Sequence, residues 1–448
     1  MNDEAREKVV ISKVSRRLVP YVGLAFLLCM VDRTNISFAA LTMNKELGFT
    51  ATFFGWGAGI FFVAYFFFEV PSNLALRKFG ARIWIGRIMI SWGIVSAAMA
   101  LVSGKVGFLS LRFLLGVAEA GFFPGIVFYL TDWFPEKHRA VVLSRFYFAQ
   151  PVALIVSATL SGMILKLNGF LGIAGWRWLF VVEGLPTIIM GFVTFFYLTD
   201  KPGAASWLEP GEREWLQGQI EEEHARVQSL HKLTLWQALG HPRVLVLGLV
   251  LMGLVVCQSG TVMFLPQMVK ALGNFSSSQI GFIVAIPYTA AAIGMLVIGY
   301  SSDRRRERKY HLLFSMLLIA AGMLCAAVFH TSVTLTILGI AMVAIGYFSA
   351  VPIFYILPST FLVGTASAGG IALINSIGNL GGFFAQAGVG WLKDLTGSYR
   401  TGLVLLAVAV TTSAIVAFMI WLQIEKLRRA APQGQVASEV RSAKSGTE

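Results

Sequence analysis

Twelve predominantly apolar stretches, each long enough for a helix to cross a bilayer, dictate most of what this chain can become. They run approximately over 18–41, 53–76, 83–103, 106–131, 141–165, 176–198, 243–269, 279–301, 310–330, 332–357, 362–390 and 401–424. A crossing helix needs ~20 mostly apolar residues. In hydrocarbon only helices and closed barrels satisfy their own backbone groups, and uninterrupted runs of this length exclude a barrel. Charged residues make up 13% of the chain, against about 25% in soluble domains. The expectation is an all-α integral membrane protein with twelve transmembrane helices. Nothing before the first run has the form of a cleavable leader, so the first helix is expected to remain.

The net charge of +13 would suit nucleic acid if it were spread over a soluble surface. Instead its clusters alternate with the apolar runs: Arg77, Lys78, Arg82 and Arg87, then Lys137, Arg139 and Arg145, then Arg304, Arg305, Arg306, Arg308 and Lys309. With a cytoplasmic N-terminus all three fall on the same side, as the positive-inside tendency requires. Both termini are therefore expected in the cytoplasm, with a lipid bilayer and no nucleic acid as partner. Cys29, Cys257 and Cys325 lie in apolar runs and read as packing residues. No histidine has metal-site spacing, so neither metal nor cofactor is expected.

The longest polar stretch, 199–242, splits the runs six and six. It predicts an N-terminal six-helix bundle over 1–198, a cytoplasmic linker over 199–242 with a short amphipathic helix, a C-terminal bundle over 243–429, and a disordered tail over 430–448. Aligning Gly55 with Gly281 also aligns Arg82 with Arg308, a sign of duplicated halves.

Charges within the apolar runs are the functional signal. A charged side chain at the bilayer centre costs on the order of 3 kcal/mol or more unless it meets a partner or a watery cavity. Asp32 and Arg33 sit in the first run, Arg112 and Glu119 in the fourth. At ~1.5 Å per residue, Asp32 and Glu119 both fall within roughly 5 Å of the midplane. Burial penalises a charged carboxylate and a nearby arginine favours it, so these two acids are candidates for loading and releasing protons. Arg33 keeps its charge and offers a planar fork suited to a carboxylate. It is the first candidate for a substrate clamp. Arg112, two turns before Glu119, either modulates that acid or forms a permanent ion pair with it. Glu69 and Glu183 read as structural acids, Glu183 through pairing with Arg177. The Phe61–Phe68 aromatics read as packing or lipid-facing residues. Trp84, Trp133, Trp176, Trp178, Trp391 and Trp421 read as interfacial anchors.

After the eighth run comes Gly299-Tyr-Ser-Ser-Asp303-Arg304-Arg-Arg-Glu-Arg308-Lys309. Asp303, Arg304 and Arg308 can lock helix ends in one state and release them in another, or simply set topology. The loop resembles a signature of the major facilitator superfamily, in which two six-helix bundles rock about a central site. Further stretches are similar to the anion:cation symporter family within it: Asp32-Arg33-Thr34-Asn35-Ile36, Pro71-Ser72-Asn73 with Gly80-Ala81-Arg82, Arg112 to Gly125, Gly175 to Pro186, and Ala372 to Phe383. The resemblance covers nearly the whole helical part. It implies proton-driven uptake of an organic carboxylate such as tartrate, a sugar acid or a small aromatic acid, across a bacterial cytoplasmic membrane. It also implies substrate hydrogen bonds from the positions matching Tyr65, Gln150 and Asn379, although a lone polar group can equally serve helix packing, at ~0.6 kcal/mol. Gln386 departs from the family pattern.

The leading expectation is thus a proton-coupled carboxylate symporter in which Asp32 and Glu119 carry protons. A single chain suffices for the fold, and a monomer is expected. The alternative is a proton-driven exporter of an anion or drug, against which the fifth run, reading Phe148-Ala149-Gln150-Pro151-Val152, lacks the exporter glycine pattern. An enzyme is not expected, since no nucleophile elbow, phosphate loop or metal spacing is present.

Overall fold

The computed structural model describes residues 3–229, 242–359 and 365–430. Its helices are α1 Asp3–Glu46, α2 Ala51–Phe79, α3 Ala81–Ala98, α4 Lys105–Glu119, α5 Phe122–Thr131, α6 Glu136–Ile164, α7 Gly175–Tyr197, α8 Pro210–Ser229, α9 Pro242–Ala271, α10 Ser277–Arg305, α11 Lys309–Val328, α12 Val333–Phe354, α13 Ile356–Ser359, α14 Thr365–Thr396 and α15 Arg400–Ala430. No strand occurs among the described residues. Eleven candidate spans are long and apolar enough to cross a membrane. The remaining expected crossing is α14, where Asn375, Ser376, Asn379 and Gln386 interrupt the apolar sequence. α14 nevertheless packs lengthwise between α2 and α9. The expected tail over 430–448 lies, from residue 431 on, outside the described residues, as do 230–241 of the linker.

Two six-helix bundles result; they meet most extensively along two pairs, α2 with α14 and α6 with α10, and α1 also packs against α9. Glycines make these approaches possible. A Cβ on Gly55 would lie 2.1 Å from the Gln386 carbonyl oxygen, and one on Gly390 would lie 2.2 Å from that of Ala51. At the second pair a Cβ on Gly281 would lie 2.4 Å from Ala158 O and one on Gly162 would lie 2.7 Å from Ser277 O. Gly55 and Gly281, the residues that align the two halves in sequence, therefore occupy equivalent places in the two seams. Asp394 of α14 accepts hydrogen bonds from the backbone N–H of Ala51 (3.2 Å) and Thr52 (2.7 Å), adding a cross-half cap to the start of α2. All these contacts lie at the end of the bundle opposite the linker. That end is closed.

At the linker end α1 continues well beyond its apolar run. Val10, Ile11, Val14 and Leu18 bury one face of this extension in a cluster that includes Leu198, Leu208, Leu216 and Ile220. Lys13 pairs with Glu212 at 2.8 Å, and Glu7 holds Lys137 and His138. The helix expected in the linker is α8, clamped here to the N-terminal bundle.

Three packing expectations need correction. Trp133 and Trp176 are fully buried, and Trp421 is buried too. Trp133 stacks on Trp207 of the linker, and Trp176 donates to Glu46 at 2.7 Å. Glu183 does not pair with Arg177: Arg177 turns to Glu46 and the Ala100 carbonyl, while Glu183 accepts from Ser161 at 2.7 Å. The run 106–131 is also not one helix. It breaks between α4 and α5 at Gly121, whose φ of 84° favours glycine and where a Cβ would strike Ser72 Oγ at 2.5 Å.

Candidate functional site

The consecutive residues Asp32 and Arg33 point in different directions, because neighbours on a helix are ~100° apart. Arg33 turns toward α2 and α4. Its Nε donates to Glu119 Oε1, which also accepts from Cys29 Sγ at 3.1 Å. The guanidinium lies 5.2 Å from the Phe61 ring centre and 5.1 Å from that of Tyr65. Neither terminal nitrogen of Arg33 donates to an acceptor among the described residues, and the side chain remains 23% exposed. Glu119 is fully buried, and its second oxygen has no partner among the described residues. The arrangement offers a cation held at one corner by a buried acid, with its carboxylate-binding fork open.

Local sequence builds this geometry. Gly116 lets α4 approach α2 so closely that a Cβ there would lie 2.3 Å from Phe61 O. Glu119 is the last residue of α4, immediately before the break at Gly121. Arg112 is buried, donates to Ala58 O at 3.0 Å and lies 5.2 Å from the Phe61 ring centre. It forms no ion pair with Glu119 within 4 Å among the described residues, so the permanent pair is not made. Phe61 thus has both arginines in cation–π range.

Asp32 turns toward α3 and α7. Oδ2 accepts from Trp92 Nε1 and Thr187 Oγ1, and Oδ1 from Ser96 Oγ, each at 2.8 Å. It is 1% exposed and no cation reaches it among the described residues. Charge-assisted hydrogen bonds of ~1.5–3 kcal/mol each compensate its burial.

Glu69 of α2 is 3% exposed and bridges the bundles. Asn375 Nδ2 donates to Oε1 at 3.0 Å and Ser376 Oγ to Oε2 at 2.8 Å, both from α14. The pairing register running from Ala51 opposite Gly390 to Glu69 opposite Asn375 puts Asn379 at the level of Tyr65. Gln150 is half-buried on α6, two turns from Ser157, which bonds Thr34 of α1 at 2.7 Å. That separates Gln150 from the level of Arg33 by about 10 Å. Among the described residues neither the Gln150 nor the Asn379 amide has a protein hydrogen-bond partner. Arg33, Glu119 and Tyr65 are in contact, Asn379 shares their level, and Gln150 and Asp32 stand apart.

The loop residues form a separate group. Asp303 pairs with Arg308 at 2.6 Å, and Arg308 donates to Ser302 Oγ at 3.0 Å. This ties the end of α10 to the start of α11, both in one half, and Arg304 has no partner among the described residues. Gln386 Nε2 donates to Ser259 at 2.9 Å within the same half. Sequence reasoning left out Cys29 and Phe61. The only signals for either were one-turn spacing, Cys29 before Arg33 and Phe61 before Tyr65.

A family profile described as Major Facilitator Superfamily matches residues 22–386, with a second, overlapping match over 258–444. Among curated proteins, a putative tartrate transporter of Agrobacterium vitis is 46% identical over 98% of this chain and 99% of its own length. A quinolone resistance transporter of Acinetobacter baumannii is 39% identical over 94% of this chain and 96% of its own. Among solved structures, the xylose transporter XylE from E. coli superposes with a TM-score of 0.70 at 14% identity, covering 90% of this chain and 97% of that one. The chain belongs to the major facilitator superfamily and, within it, to the anion:cation symporter family.

Proposed function

We propose that this transporter takes up a small organic carboxylate, tartrate or a related hydroxy acid, together with protons, across a bacterial cytoplasmic membrane with its linker end in the cytoplasm. The observation that carries the reading is Arg33: its Nε is fixed by buried Glu119 while its terminal nitrogens have no protein acceptor. A substrate carboxylate takes those nitrogens bidentately, and Tyr65 and Asn379, at the same level, hydrogen-bond the substrate's hydroxyl groups, whereas Gln150 lies too far along α6 for a small acid held at Arg33. The 46% identity to a putative tartrate transporter supports the substrate class.

Proton coupling follows from charge. Moving one negative charge inward against ~100 mV costs about 2.3 kcal/mol, so a dianion needs two protons to cross without charge movement. Glu119 is the carrier of one in this scheme: it is buried, holds Arg33 through Oε1, and has a second oxygen without a partner among the described residues to take a proton. Protonating Glu119 releases Arg33 to the substrate. Asp32 carries the second, exchanging its three hydrogen bonds as it loads.

The test is uptake of labelled tartrate into proteoliposomes with an inside-alkaline gradient. Accumulation that collapses with a protonophore, and a loss of at least about 100-fold in Arg33→Gln, is expected. Gradient-independent uptake would overturn the coupling. The relative named for quinolone resistance favours a second reading, export. In the same vesicles, proton-driven movement of a fluoroquinolone with no tartrate flux would establish it.

A further inference from the structure

An open groove of about 940 Å³ lies at the linker end, far from Arg33, between the α1 extension, the end of α7 and the linker. Lys8, Lys13, Arg16 and Arg17 line it, over a floor of Tyr197 and Trp207. Only Lys13 has a carboxylate partner, Glu212. Among the described residues no acid pairs with Lys8, Arg16 or Arg17. Arg17 is positioned between the two aromatic rings, 4.6 Å from Tyr197 and 4.8 Å from Trp207, and Tyr197 donates to its carbonyl. Its Nε is buried and has no acceptor. A groove with three cations short of anions suits a phosphate-like ligand.

The neighbouring surface identifies the source of that phosphate. The stripe of α1 that carries Arg16 continues through exposed Pro20 to Leu24, 48% exposed. On α7, Phe192 and Phe196 beside Tyr197 are 55% and 88% exposed. These residues belong to the bilayer-crossing parts of α1 and α7, so the groove borders surface that lipid covers and a lipid headgroup reaches its cations without leaving the bilayer. Tyr and Trp at the junction suit the headgroup level of a bilayer. We propose that the groove binds the phosphate headgroup of an anionic phospholipid whose acyl chains lie along α1 and α7. So placed, the lipid ties the α1 extension, the end of α7 and the linker into one unit. This inference is independent of substrate and coupling.

Native mass spectrometry of the full chain in detergent tests it, with titrated phosphatidylglycerol, phosphatidylcholine and inorganic phosphate as probes. Phosphatidylglycerol should bind and phosphatidylcholine should not compete with it. The double variant Lys8→Gln, Arg16→Gln should weaken phosphatidylglycerol by about thirtyfold, the size expected for removing two cations from an anionic surface. Both side chains are exposed, so the fold should persist; if the double variant does not fold, Arg16→Gln alone should show about a fivefold loss. Equal binding of the two lipids, or unchanged affinity in the folded variant, would overturn the site. Displacement of the lipid by equimolar inorganic phosphate would assign the groove to a soluble anion and overturn the lipid proposal.

Discussion

Arg33 and Glu119 form an asymmetric pair: Glu119 is fully enclosed, and Arg33 is enclosed only at Nε. Removing one partner of a buried pair commonly costs ~3–5 kcal/mol because the other charge stays behind. Glu119→Gln is isosteric and mimics the protonated acid, so Arg33 should be permanently available. We expect this variant to bind tartrate at least as well as the parent and to exchange it across a membrane, while losing accumulation driven by a pH gradient. Asp32→Asn should behave differently, since Trp92, Thr187 and Ser96 all donate to its carboxylate. The amide turns one acceptor into a donor facing another donor, which should lower thermal stability by ~1–3 kcal/mol as well as removing the proposed second proton site. Counterflow and accumulation assays, run beside thermal unfolding, separate the two. Identical profiles for both variants would contradict distinct roles. The charged residues of this site were legible because charge inside an apolar run is conspicuous. Which carboxylate pairs with Arg33 was not legible, since that depends on helix rotation and on the close approach of α4 to α2 at Gly116.

The paired seams show what helices contribute beyond their length. Gly55 with Gly390 in one seam and Gly281 with Gly162 in the other permit backbone approaches that any side chain would block. Gly55→Val or Gly281→Val should hold open the end opposite the linker, leaving substrate binding from that side intact and cutting transport more than about tenfold. A thiol-accessibility assay at that end, alongside flux, checks this; normal flux with either variant would show that the seams yield at little cost. The linker helix has a weaker attachment. Burial raises the Glu212 carboxyl, but hydrogen bonds from Lys13 and the Glu209 N–H outweigh it and hold it below its ordinary 4.5. A group depressed on folding contributes stability above its unfolded value and loses it as pH falls through its folded one. Docking of α8 should therefore be firm at neutral pH and loosen below about pH 4.5, by no more than ~1 kcal/mol from this partly exposed pair. Glu212→Gln should remove that pH dependence in hydrogen exchange of α8. Most spans were readable from the length of the apolar runs, eleven of them recovered as candidate spans. The break at Gly121 was not, because a single glycine in an apolar run is compatible with an unbroken helix.

At the scale of the whole molecule, closure opposite the linker is a state to be left during transport, so contacts between the bundles must be balanced rather than strong. Most are apolar or backbone approaches, and Glu69 is the buried carboxyl among them. The sequence marked it only as a structural acid without a partner, and only the register of α2 against α14 reveals that it faces Asn375 and Ser376 across the seam. Asn375 in turn accepts from Tyr355 at 3.1 Å, extending the network into α12–α13 territory of the C-terminal bundle. Replacing Glu69 with Ala leaves the Asn375 amide and Ser376 hydroxyl unpartnered while the bundles stay closed, at ~1–3 kcal/mol. If rocking the bundles lets water reach those groups, the opposite arrangement does not bear that cost, and an equilibrium moves tenfold for every 1.4 kcal/mol. Spin labels replacing Lys105 and Arg400, one on each bundle at the closed end, with the native cysteines removed, read the distance distribution. In Glu69→Ala it should shift toward longer separations by at least about fivefold in population, and Glu69→Gln, which retains one acceptor, should shift it less. Distributions unchanged in both variants would mean that Glu69 is equally satisfied in the two arrangements and that the balance between them is set by the glycine seams alone.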